Sequence, residues 1–297
     1  MNKGIYYAVS AYFIWGLLPI YWKAIQSVPS GQILAHRIVW SLVVVGAILF
    51  ARRNWGWLPG AIGNRRTLLT FILSGTLLAV NWFVYIWGVN AGFIVETSLG
   101  YFINPLVNVL LGYLILKEHL RPLQWLALSF ALGGVLYLTY SYGAFPWIAI
   151  TLAVSFAFYG LIRKTATLNS AEGLFLETAF LALPALGFLV VQEAAGTGAF
   201  GHSEASTTVL LIGAGLVTSA PLLLFAAAAR RITLTTLGLL QYIAPTMQFL
   251  IGVFIFQEEF GIDRLIGFGL IWLALVLYSA ESLQHRRRTL QPQTAQF

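Results

Sequence analysis

The sequence predicts an all-α integral membrane protein of ten transmembrane helices, arranged as two inverted five-helix repeats. Three observations predict it. Of the 297 residues 59% are hydrophobic and 9% charged, with a mean hydropathy of +0.82, so most of the chain must be solvated by lipid or by itself. Ten apolar segments, near 4–22, 32–51, 68–88, 95–116, 123–142, 146–163, 171–191, 207–229, 236–257 and 265–283, approach the ~20 residues that a helix needs to cross a bilayer. Finally, the pattern of the first half returns in the second at an offset of 140 residues.

Taken in order, the first span follows directly on MNKGIYY and contains Trp15 and Pro19, with no small-residue cleavage site. It reads as a retained span and not as a signal peptide. The second carries Arg37 within its apolar run, and the third carries Asn81 and Tyr85 one helical turn apart. In the fourth, Thr97, Tyr101, Asn104, Asn108 and Gly112 recur at steps of three and four, which sets them on one helical face. The sixth is short and ends at Arg163 and Lys164; the seventh contains Glu177. The ninth repeats the fourth: Pro105 matches Pro245, Gly112 matches Gly252, Glu118 matches Glu258, Tyr101 matches Gln241 and Asn108 matches Gln248. The first spans align with a small shift, Trp15-Gly16 against Tyr159-Gly160, and Arg163 stands where Pro19 would recur. The expected organisation is therefore repeat one over 1–142, repeat two over 143–284 and a basic cytoplasmic tail over 285–297.

Lysine and arginine orient the chain. With the N-terminus cytoplasmic, fourteen of the 17 basic residues fall on inner loops and span ends, only Lys23 and Arg264 fall outside, and Arg37 stays within a span. The outer loops hold Glu193, Glu204, Glu258, Glu259 and Asp263 instead. Such a bias predicts both termini in the cytoplasm and an even number of spans. Because each half has five spans, the second enters the bilayer upside down relative to the first.

Other function classes find little support. The net charge of +7 sits in clusters between apolar runs, a topological signal and not a nucleic-acid surface. There is no cysteine, and the four histidines form no HExxH pattern, so neither a thiolate nor a zinc-protease metal site is expected. No GxxxxGK[ST] loop is present, which leaves ATP hydrolysis unsupported and no cofactor expected. The implied partners are the bilayer, a small-molecule substrate and, as a candidate coupling ion, the proton.

The candidate site residues follow from the cost of polar groups in lipid. Tyr101, Asn104 and Asn108, with Gln241, Tyr242 and Gln248 in the repeat, are candidates to line a path; the competing reading is interhelical hydrogen bonding that holds the bundle together. Asn81 and Tyr85 share a face expected to meet the same cavity. Trp15 and Tyr159 are candidate aromatic walls or interfacial anchors, and His36 is a candidate titrating group or a structural donor. Pro105 and Pro245 are candidate hinges or packing kinks. Arg37 and Glu177 occupy equivalent repeat positions. Each sits roughly 9 Å deep from opposite faces of a core about 30 Å thick, so no direct pair between them is expected. Arg37 is a candidate for attracting an anionic substrate, and Glu177 for proton coupling.

The residues also resemble a known family. AYFIWGLLPIYWK (Ala11–Lys23) resembles the opening of EamA-domain proteins of the drug/metabolite transporter superfamily. QILAHRIVWS (Gln32–Ser41) and NWFVYIWGVNAGFIVETSLGYFINPLVNVLLG (Asn81–Gly112) are similar to its RarD subfamily in particular. The resemblance covers nearly the whole chain and implies a bacterial inner-membrane protein of ten helices in two inverted EamA repeats. It also implies an export permease for a small amphipathic metabolite, amino-acid-like compound or drug, working by alternating access. Uptake by the same fold, an intramembrane enzyme and a non-transporting scaffold are the alternatives.

Overall fold

The computed structural model describes residues 3–91, 93–257 and 261–290 and is helical throughout them, with α1 Lys3–Ala24, α2 Ser30–Ala51, α3 Leu58–Gly63, α4 Arg65–Asn90, α5 Ile94–Leu114, α6 Pro122–Tyr142, α7 Trp147–Thr165, α8 Ser170–Ala194, α9 Ala205–Ala229, α10 Leu234–Gln241, α11 Ile243–Phe254 and α12 Ile262–Leu290. Glu258, Glu259 and the tail from residue 291 lie outside the described residues, as do the side chains of Asp263, Arg264 and Arg286 to Arg288.

The ten expected spans correspond to α1, α2, α4 to α9, the α10–α11 pair and α12. Eight of them are long and apolar enough to cross a membrane on their described residues, while α12 offers a shorter apolar run over Leu265–Glu281. The 21-residue α5 carries the polar stripe. Two details differ from expectation. A six-residue helix, α3, follows α2 with Pro59 in its first turn, where proline's missing N–H is harmless. The ninth span is also interrupted at Tyr242. Pro245 supplies the reason, since it has no N–H to give Gln241, and its ring crowds that carbonyl. Pro105 sits inside an unbroken α5, so the two matched prolines have different local outcomes.

The 140-residue offset recurs in the helix boundaries. The starts of α2, α4, α5 and α6 each recur 140 residues later as the starts of α8, α9, α10 and α12. The packing is symmetric under this exchange. α1 packs on α9 and α11 as α7 packs on α4 and α5, α2 packs on α9 as α8 packs on α4, and α2·α8, α5·α10 and α6·α12 pair with each other. The matched glycines serve this arrangement. A Cβ at Gly75 would lie 3.4 Å from the Glu177 carbonyl, and one at Gly215 would overlap the Trp40 backbone.

The main core runs through α1, α2, α4, α7, α8 and α9 around Tyr12, Leu78, Tyr159 and Phe225. A second core, built on Phe102, Val109, Tyr242 and Phe268, joins α5 and α10 to the peripheral α6·α12 pair. The adjacent Gly133 and Gly134 divide sharply there. A Cβ on Gly134 would lie 2.8 Å from the Gly267 carbonyl and 3.0 Å from Ile271, whereas one on Gly133 meets nothing within 4 Å. Gly134→Leu is therefore expected to destabilise the protein by about 1–3 kcal/mol through overpacking. Gly133→Leu is expected to leave the thermal unfolding midpoint in detergent unchanged, and equal effects of the two would contradict this packing.

Candidate functional site

A cavity of about 220 Å³ lies between the two halves, at the small end for a ligand pocket. α1 contributes Tyr12, Trp15, Pro19 and Trp22, and α2 contributes Arg37. α4 contributes Asn81, Trp82 and Tyr85, while α5 contributes Gly100, Tyr101 and Asn104. The second half supplies Leu152 and Phe156 from α7, Thr218 and Leu222 from α9, and Gln241, Ala244, Pro245 and Gln248 from the broken span. These positions lie from mid-helix towards the side opposite the N-terminus of α1.

The floor is a chain of amides. Asn108 Nδ2 donates to Asn104 Oδ1 at 3.0 Å and to Gln241 Oε1 at 3.1 Å, and Asn104 Nδ2 donates to the Ala153 carbonyl at 2.6 Å. α10 comes this close because Gly238 sits against Asn108: a Cβ there would lie 2.7 Å from that of Asn108. On the wall, Asn81 Nδ2 donates to the Leu152 carbonyl at 2.9 Å and to Ser155 Oγ at 3.1 Å, and the rings of Tyr85 and Tyr101 meet edge to face at 5.7 Å. Gln248 Nε2 donates to the Trp15 carbonyl at 3.1 Å.

Arg37 is the charged residue of this lining. Its guanidinium lies 4.7 Å from the Trp22 ring and 4.8 Å from that of Trp82, and Nε donates to Thr218 Oγ1 at 3.0 Å. The aromatic faces ease the cost of holding a cation within the span.

Of the residues singled out by sequence, Trp15, Arg37, Asn81, Tyr85, Tyr101, Asn104, Gln241, Gln248 and Pro245 line this cavity. Five others do not. His36 turns to the other face of α2 and stacks on Phe200 at 5.0 Å, because successive helical residues point about 100° apart. Asn108 is fully buried beneath the floor, and Tyr242 donates from its hydroxyl to the Phe102 carbonyl at 3.1 Å within the second core. Pro105 turns its carbonyl towards Gly238. Tyr159 stacks on Phe225 at 5.9 Å within the main core.

Glu177 also lies outside the cavity, at the centre of a separate network. It accepts from Ser74 Oγ at 2.5 Å, from Tyr159 Oη at 3.4 Å and from Arg163 Nη1 at 3.4 Å. As expected, Glu177 and Arg37 do not pair. The partner is Arg163, which the sequence pattern places among the basic residues of an inner span end but which is only 1% exposed. Glycine at 173 makes room for it, since a Cβ there would overlap the guanidinium. Sequence reasoning also passed over Thr218, Trp22 and Trp82. The Thr218-Ser219 pair in an otherwise apolar span was the available signal for the first. The tryptophans gave none, because aromatic residues near span ends have a routine interfacial reading.

The EamA-like transporter family matches residues 2–140. Protein RarD of Streptomyces exfoliatus is 46% identical over 288 residues, covering 97% of this chain and 91% of its own. Protein RarD of Escherichia coli K12 is 42% identical, covering 97% of both chains. A solved crystal structure at 19% identity superposes with a TM-score of 0.69 over 92% of this chain and 96% of the other, which bears on the fold.

The Glu177 network gives a stability prediction. Glu177→Ala strands a buried guanidinium and is expected to cost about 3–5 kcal/mol. Replacing both partners, Glu177→Leu with Arg163→Met, is expected to recover most of that loss, because neither then leaves a charge behind. Thermal unfolding of the two single variants and the double variant checks this; strictly additive losses would show that the two side chains are not coupled.

Proposed function

We propose that this chain, which belongs to the RarD group of the EamA-like transporter family, is a secondary permease that exports a small amphipathic metabolite by alternating access. Membership makes it a multi-pass membrane transporter; the direction and mechanism are our reading. The observation that carries it is a cavity part-way through the bundle, contributed by both halves of a repeat and lined by amides and Arg37 among aromatic and aliphatic side chains.

A seal lies on the side where α1 begins. Glu118 accepts from the Leu234 and Thr235 backbone N–H groups at 2.6 and 2.9 Å and so caps α10 across the repeat boundary. A carboxylate at a helix N-terminus satisfies donors that have no partner within the helix and complements its dipole. Lys164 donates to the Ala229 and Ile232 carbonyls, and Tyr12 Oη donates to the Leu237 carbonyl at 3.0 Å. If the basic loops face the cytoplasm, as their charge bias favours, this conformation faces outward and these contacts form the inner latch.

The repeat also suggests the second state. Exchanging the conformations of the two halves moves the opening to the other side. Its lining would then be drawn from the equivalents of the present one, among them Tyr159 for Trp15 and Glu177 for Arg37. Glu177, sealed with Arg163 here, would gain access to water in that state, which supports proton coupling. Uptake by the same machinery is the second reading, because the charge bias orients the protein and not the flux.

Two measurements test this proposal. Asn104→Leu and Gln241→Leu each replace a cavity amide and are expected to reduce substrate flux in proteoliposomes at least about tenfold, since the partner amides lose their hydrogen bonds. Retention of full flux by both would remove the cavity from the transport path. The chain has no cysteine, so Leu237→Cys, at a fully buried position, reports on the latch. Adding Glu118→Ala is expected to speed its labelling by a membrane-impermeant maleimide severalfold from the side where α1 begins; unchanged labelling would rule out a latch role for Glu118.

A further inference from the structure

We infer that the cavity selects an organic monoanion, a carboxylate carried on an aromatic or apolar body. This rests on the transport reading above and specifies its substrate class. Among the described residues Arg37 enters no salt bridge and no acidic residue lines the cavity. The nearest repeat-related acid, Glu177, is engaged by Arg163 outside it. The cavity therefore holds one fixed positive charge and no compensating negative one, in a setting where an uncompensated charge is costly. A ligand carboxylate completes it.

The geometry narrows the match further. Nε donates to Thr218 and the guanidinium lies within 4.8 Å of both the Trp22 and the Trp82 ring centroids, which leaves the two Nη groups as a fork suited to two-point recognition of a planar carboxylate. The same two indole faces are occupied by that cation, so they are not free to form an aromatic cage for a ligand ammonium. The rest of the wall is largely aromatic and aliphatic, including Trp15, Phe156, Leu222, Tyr85 and Tyr101. That surface suits a carbon skeleton, while Asn81, Asn104 and Gln241 offer amides for one or two neutral polar substituents. The small volume sets an upper limit on size, and a bulky polyanion fits neither the space nor the single cation.

The test uses four compounds that share a phenylalkyl body: 3-phenylpropanoate, 3-phenylpropanamide, 3-phenylpropylamine and phenylalanine. Each is added to the purified full-length protein in detergent and read by thermal shift, because a ligand of the folded form raises the unfolding midpoint. The carboxylate is expected to raise it, with the other three at least about tenfold weaker. Arg37→Gln is expected to weaken carboxylate binding at least about tenfold through loss of a charged hydrogen-bond partner. Arg37→Lys, which keeps the charge but not the fork, should give an intermediate loss. Thr218→Val keeps Arg37 but frees its Nε; a severalfold loss is expected, which keeps the test informative if Arg37→Gln fails to fold. Failure of the carboxylate to bind, equal binding of the amide, or preference for the amine or phenylalanine would overturn the assignment. Counterflow in proteoliposomes separates this from the underlying reading. Counterflow of the amide or amine that is lost in Asn104→Leu would leave transport standing and remove the anion, whereas no counterflow of any charge class would remove both.

Discussion

The crossing of α5 and α10 is the contact on which the rest of this molecule depends. Gly238 lets the two backbones approach, and the shared amide hydrogen bonds of Asn104, Asn108 and Gln241 bridge them. In a membrane interior a polar group without a partner is expensive, so these three side chains hold each other where α5 and α10 pair with their own repeat counterparts. The cavity rests on that floor, and the cap that Glu118 places on α10 lies beneath it. A larger residue at Gly238 would separate the helices and disconnect floor from latch together.

A repeat gives two equivalent half-sites, but this chain has filled them with different chemistry. Arg37 faces the cavity from between two tryptophans, while its counterpart Glu177 is enclosed by Arg163, Tyr159 and Ser74. Asn81 lines the wall, whereas its counterpart Pro221 lies buried within α9. Under the alternating-access proposal the shared backbone framework would offer two related ways for the halves to pack. The unlike side chains make the two half-sites chemically distinct.

The latch contacts are made largely by charged side chains on backbone groups. Glu118 binds N–H groups at the start of α10, Lys164 binds carbonyls at the end of α9, and Arg230 binds the Ala166 and Leu168 carbonyls beyond α7. Helix termini carry donors and acceptors with no partner inside the helix, so in the proposed mechanism each of these contacts would satisfy groups that water can satisfy equally well once it opens. The cost of exchange would thereby be modest, unlike that of breaking the buried Arg163–Glu177 pair.

Much of this architecture could be read from the chain alone, because its causes are local. Apolar runs of spanning length, clusters of Arg and Lys between them and an ungapped 140-residue echo are properties of neighbouring residues, and they determined the spans, the repeat and the family resemblance. The helical stripe of Tyr101, Asn104 and Asn108 likewise announced a polar face. Which members of that face meet open space was decided only by packing: Asn104 lines the cavity, and Asn108, one turn on, is buried under α10 because Gly238 lies against it. Tertiary structure alone also paired Glu177 with Arg163, turned His36 onto Phe200 and set Arg37 between Trp22 and Trp82. The physical reason is the same in each case. A sequence states what a side chain costs in lipid, but the group that meets that cost comes from another helix, and only the fold decides which one arrives.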